Sequence, residues 1–150
     1  MQINTTRFGR VDIRPTDVLD FPFGLIGLEA WRSWVVLADG QNAGLGWLQS
    51  TERAELALAV VSPRRFVPDY RVRVSHRDLA ALEAPEGVTP QVVVAVSSVP
   101  DGPAGESLSL NLKAPILVSI DSRRGRQVVA KDDHPVRRLL GGERVMRRSA

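Results

Sequence analysis

Gln91-Val92-Val93-Val94-Ala95-Val96-Ser97-Ser98 is the stretch that sets the fold class. Its valines carry a branched Cβ, which loses rotamer freedom in a helix and packs well on a pleated surface. The apolar part is about one strand long, far short of the roughly 20 residues that a membrane-crossing helix needs. Valine fills 20 of the 150 positions and recurs in runs of this kind, so the chain is expected to be mainly β.

Working outward, further strands are expected over Arg7 to Ile13, Val18 to Phe23, Trp34 to Ala38, Gly46 to Gln49, Leu56 to Val61, Tyr70 to Val74, Leu108 to Leu112, Ile116 to Ile120 and Gln127 to Ala130. Asp39-Gly40, Asp101-Gly102-Pro103 and Arg124-Gly125 supply turn chemistry between them, the last as a tight hairpin. Many short strands at spacings of about ten residues predict a compact antiparallel β-barrel-like single domain, which leaves few unpaired edges. One short helix is expected from Ser75, whose hydroxyl caps the first turn while Asp78 reaches back to complete a capping box. It should end before Pro85 and bury Leu79 and Leu82 on one face. A second short helix is expected near His134-Pro135, stopped by Gly141-Gly142.

A length of 150 residues suits one domain. Residues 1–140 are read as that domain and residues 141–150 as a flexible basic tail. Charge is distributed unevenly: residues 1–120 carry 11 Lys+Arg against 13 Asp+Glu, and residues 121–150 carry 9 against 4. A basic segment of this kind can contact phosphates or acidic protein surfaces. Eighteen of the 20 basic residues are arginine, a compositional bias and no evidence for nucleic acid. Met1-Gln2-Ile3-Asn4-Thr5 lacks the basic and apolar pattern of a secretory signal, so a cytoplasmic location is expected.

Chemistry is sparse. Without cysteine there are no disulfides, thiolate metal sites or thiol nucleophiles. His76 opens the expected helix and His134 precedes a proline, and two histidines make a poor metal set. Asp132-Asp133 are adjacent, as in a turn, whereas paired catalytic carboxylates need a shared face. Gly40, Gly44 and Gly46 lead into Trp47-Leu48-Gln49-Ser50 without the Lys-Ser/Thr of a phosphate loop. No metal, cofactor or small-molecule substrate is expected, and the chain is read as a non-enzyme.

The remaining leads are mixtures of aromatic, amide and charged residues suited to protein recognition: Trp47-Leu48-Gln49-Ser50, Phe66-Val67-Pro68-Asp69-Tyr70 and Asn111-Leu112-Lys113-Ala114-Pro115. Trp47 and Phe66 also suit a core. With Gly24-Leu25-Ile26-Gly27-Leu28-Glu29, Ile116 and Gly125-Arg126-Gln127-Val128-Val129, these motifs stand in the order and spacing of one family. Over residues 3–140 the chain resembles the flagellar assembly factor FliW family. Ile26 and Leu28 stand where that family's pattern has proline and phenylalanine.

The resemblance implies a regulator that binds the translational repressor CsrA and keeps it off flagellin messenger RNA, with flagellin binding releasing CsrA. A mildly acidic body fits a basic partner. Flagellin would present amphipathic helical segments. From polar residues flanking apolar strand segments, Gln49, Ser50, Asp69, Tyr70, Asn111 and Lys113 are expected to share one partner-binding surface, with Glu29 nearby. The competing reading is RNA binding through residues 121–150 on a β scaffold, which predicts steep salt dependence.

Overall fold

The computed structural model describes residues 1–100 and 105–140. The expected turn at Asp101-Gly102-Pro103, the helix stop at Gly141-Gly142 and the basic tail lie outside these residues. The chain opens with a hairpin of β1 (Gln2–Thr5) and β2 (Gly9–Asp12), paired through Ile3 and Val11. Ile3 and Thr5 alternate inward along β1, a strand that the sequence reading did not include. Gly9, with φ of 72°, turns the chain.

The main sheet contains β3 (Leu19–Asp20), β4 (Ser33–Ala38), β5 (Gly46–Ser50), β6 (Ala57–Val61), β7 (Gln91–Pro100), β8 (Glu106–Leu110), β9 (Ile116–Ser119), β10 (Arg124–Gln127) and β11 (Arg138–Leu139). Neighbours run in the order β11-β8-β7-β6-β5-β4-β3-β10-β9, and β7 also pairs with β9. That last pairing closes seven strands, β3 to β7 with β9 and β10, into a barrel. All its pairs are antiparallel except β3 with β10, joined in parallel at Asp20 and Arg124.

Strand β7 serves three partners in turn. Gln91–Val93 face β9, Val94 and Ala95 face β6, and Val96–Pro100 face β8. Its second half therefore leaves the barrel and centres a smaller sheet with β8 and β11. The valine run suits this role because side chains on both faces of the strand meet other parts of the chain.

Leu19, Phe21, Leu25, Trp34, Leu48, Val60, Ile116 and Val118 fill one core. Burying each such side chain contributes about 1.5–3 kcal/mol. On the opposite face of β4, Val35 packs with Ile3 and Ile13 beneath the hairpin, which explains the continuous apolar run of that strand. Tyr70, Val94, Leu110, Leu112 and Leu140 belong to a further cluster.

Helix α1 (His76–Ala80) begins as expected, with Ser75 Oγ accepting from the Asp78 N–H at 3.1 Å. The capping box is incomplete because the Asp78 carboxylate turns to Arg126 instead, at 2.9 Å. Leu82 is fully buried beyond the helix, whereas Leu79 remains 38% exposed, so the two do not share a covered face.

Other expectations are corrected by non-local pairing. No helix forms near His134: Leu112 donates to the Pro135 carbonyl and β8 captures Arg138 and Leu139 as an edge strand. Arg124-Gly125 is not the hairpin turn. It opens β10, and residues 120–123 make the connection with Arg123 at φ 56°. The strand expected over Gln127 to Ala130 lies earlier, ending where Gln127 meets Ile116 beside Pro115, which has no N–H to extend a ladder. Tyr70 to Val74 is not a sheet strand, since no backbone neighbour completes a ladder along it.

Candidate protein-recognition site

The seven residues singled out from sequence fall into separate networks. Gln49 and Ser50 organise the turn from β5 to β6. Ser50 Oγ accepts from the N–H groups of Glu52 and Arg53, both at 3.0 Å, as short hydroxyl side chains do at turns. Gln49 Nε2 points at the carbonyls of Ser50, Ala54 and Arg53, at 3.0, 3.2 and 3.3 Å. Both side chains are completely buried, which corrects the expectation that they lie on an exposed surface. Their polarity is consumed by an irregular turn that needs donors and acceptors inside the protein. Gln49 Oε1 and Trp47 Nε1 have no partner among the described residues, and the Arg7 guanidinium covers the half-buried Trp47 ring at 3.6 Å.

Tyr70, Asn111 and Lys113 do come together. The buried Tyr70 hydroxyl donates to the Leu112 carbonyl at 2.6 Å, and Asn111 Oδ1 accepts from the Ala114 N–H at 3.1 Å. Lys113 Nζ donates to the Asp132 carbonyl at 2.7 Å. Burial, together with the negative charge of Asp132, pushes the Tyr70 phenol up to about 12. Tyr70 is thus an internal brace, not a surface contact, because a buried hydroxyl requires a partner and Leu112 supplies it. Asn111 and Lys113 are half-buried, and Asp69, immediately before Tyr70, is exposed.

Asp132, set aside from sequence as a turn residue, is the hub of this network. Its carboxylate accepts from the Arg73 N–H at 2.6 Å and from Arg73 Nε at 2.9 Å. The Arg73 amide above all holds it below the ordinary carboxylate range; burial opposes this, and the Arg73 guanidinium adds to the lowering. His134 stacks at a tilt on Tyr70, ring centres 4.6 Å apart. Nothing in the spacing of residues 69–73 and 130–134 announces their meeting.

Glu29 lies on the loop after β3. The Leu28 N–H donates to the Leu25 carbonyl at 2.8 Å, and Gly27 at φ 85° occupies the position where a type II turn requires positive φ. Ile26 takes the slot that often holds proline. Its N–H, which proline would lack, donates to Gln127 Oε1 at 2.9 Å. Gln127 Nε2 in turn donates to the Ala114 carbonyl at 3.0 Å, tying this loop to the Asn111–Pro115 segment. Gln127 was legible only as part of a motif, without a role. Glu29 accepts from the Gly27 N–H at 2.8 Å, which lowers its carboxyl from the usual range. Beside it Phe23 and Ile26 are more than half exposed, with the Arg126 guanidinium 4.1 Å from the Phe23 ring centre. Exposed apolar side chains ringed by charge are the chemistry of a protein contact.

The loops so joined are the motif segments of one family. The family model described as FliW protein matches residues 2–140. The chain belongs to the FliW family. A flagellar assembly factor FliW of Bdellovibrio bacteriovorus is 35% identical over 134 residues, spanning 89% of this chain and 75% of that relative. One of Ruminiclostridium cellulolyticum is 34% identical over 147 residues, spanning 95% and 96%. A crystal structure of the flagellar assembly factor FliW superimposes with a TM-score of 0.82 at 21% identity, over 93% of this chain and 96% of that one. This last likeness carries the fold. No helix among the described residues is long and apolar enough to cross a membrane.

Proposed function

We propose that the protein is a non-enzymatic flagellar assembly factor that acts in the cytoplasm, binds flagellin and antagonises the translational repressor CsrA, so that flagellin synthesis follows assembly. The observation that carries this reading is the family match over residues 2–140, together with relatives named flagellar assembly factors. The functional unit is residues 1–140, with 141–150 as a basic extension. Exposed Glu29 and Asp69 touch the partner directly, with Phe23 and Ile26 as apolar anchors. Lys113 and Asn111 contribute from the edge of the Tyr70 network. Gln49, Ser50 and Tyr70 act indirectly by holding the loops that present these groups.

Isothermal titration with purified flagellin, with CsrA and with a flagellin-leader RNA, each at two salt concentrations, tests this reading. One-to-one binding of flagellin or CsrA without heat from RNA is the expected result. Salt-sensitive RNA binding that is lost on deleting residues 141–150 would replace it with the RNA-binding alternative.

A further inference from the structure

Tyr70 to Val74 has the side-chain pattern of a strand without being in a sheet. Val72 and Val74 are half-buried, and Arg71 and Arg73 are exposed. One edge of the segment is occupied. His134 Nε2 donates to the Arg71 carbonyl at 2.6 Å, the Arg73 N–H donates to Asp132 Oδ1, and the Lys131 N–H donates to the Arg73 carbonyl at 3.0 Å. Backbone groups of successive residues in an extended chain point to opposite edges, and those of alternate residues share one. The N–H and C=O of Val72 and Val74 therefore lie along the other edge, and none of the four has a hydrogen-bond partner among the described residues.

Val72 and Val74 line a cavity of about 970 Å³ whose walls include Leu79, Leu82, Val88 and Val92. A second depression of about 350 Å³ continues past Tyr70, sharing Val72, Thr89, Pro90 and Val92 with the first. The result is a groove longer than one side chain. Pro90, on its far wall, has no N–H to offer, so the segment entering β7 cannot complete a ladder with Val72 and Val74. The charged lining is cationic, Arg73 and Lys131, and includes no Asp or Glu. Leu79 and Val88 stand exposed at the mouth.

We infer that this groove receives an extended segment of a partner protein, added as a strand along Val72 and Val74. A helix would satisfy its own backbone and leave these four groups unmet, whereas a strand supplies the missing donors and acceptors. The segment carries β-branched residues at alternate positions, facing Leu82 and Val92, and a carboxylate that reaches Lys131.

The probe is an acetylated, amidated heptapeptide alternating valine with threonine between two terminal glutamates, added to the full chain. Amide hydrogen exchange resolved by NMR is expected to slow about tenfold or more at Val72 and Val74. The same peptide N-methylated at alternate residues should not bind, and Lys131→Glu should weaken binding about fivefold or more without moving the thermal midpoint. Unchanged exchange at both amides with millimolar peptide, or equal binding of the methylated peptide, would overturn the inference. The outcome is independent of whether flagellin or CsrA binds, so either reading can fail alone.

Discussion

Gly125 of β10 lies directly beneath the ring of Phe21, so close that a Cβ on the glycine would overlap the ring. Phe21 is completely buried in the barrel core and has no room to retreat. The glycine is needed here for space, since its φ is not in the left-handed region. Gly125→Ala should therefore destabilise the fold by about 1–3 kcal/mol, the usual cost of overpacking, measured by urea unfolding. Gly125→Ala in a Phe21→Leu background should cost less than the same change in the native chain.

Tyr70 is the chain's one tyrosine, so tyrosinate absorbance reports on it alone. The phenol should titrate near 12 in the folded protein, against 10.0 for an unburdened group. The folded state then holds the proton more tightly than the unfolded one. This contribution to stability is complete below pH 10 and is lost as pH rises towards 12. Tyr70→Phe should abolish that alkaline loss and, at neutral pH, cost about 1–3 kcal/mol by orphaning the Leu112 carbonyl.

Asp132 behaves oppositely. Its carboxyl is depressed below 3.8, so the stability it contributes is present above that value and disappears as pH falls through the lower folded value. The stability gap between the native chain and Asp132→Ala should be largest at neutral pH and should shrink as pH falls below 3.8. Chemical unfolding at both pH values measures it; an unchanged gap would contradict the Arg73 contact as its cause.

The Ile26 N–H and Gln127 Oε1 form a pair that a proline at position 26 would break. Ile26→Pro rigidifies a compatible turn, worth about 0.4–1 kcal/mol, and forfeits a bond worth about 0.5–1.5 kcal/mol, so its net effect should be small. Gln127→Ala should cost more alone than in the Ile26→Pro background. A double-mutant cycle in thermal unfolding should give a coupling of about 0.5–1.5 kcal/mol.

Surface and interior roles separate cleanly by substitution. Glu29→Arg and Asp69→Arg should weaken partner binding about fivefold or more, in calorimetry; the thermal midpoint should stay unchanged for Asp69→Arg and fall slightly for Glu29→Arg, which loses the bond from the Gly27 N–H. Ser50→Ala should lower stability by about 1–3 kcal/mol, because the Glu52 and Arg53 amides lose their acceptor, and should leave the binding of still-folded protein intact.

Much of the fold was legible because strand formation has local causes. The valine runs of β4, β6 and β7 and the Ser75 cap each depend on the residues at hand and their near neighbours. The site was legible as motifs but not as geometry. Ser50, Gln49 and Tyr70 look like surface polar residues until the carbonyls and amides they serve are known. Tyr70 finds its carbonyl at Leu112, far along the chain.

The sequence by itself determined a β-rich domain, its capped helix and its FliW family membership, since side-chain branching, turn residues and ordered motifs are properties of the chain alone. Only the tertiary structure decided that β7 would close the barrel and leave it, that Gly125 would make way for Phe21, and that Val72 and Val74 would lack a neighbour. Each of these depends on which distant backbone comes within hydrogen-bond or van der Waals reach, and that follows from how the whole chain packs.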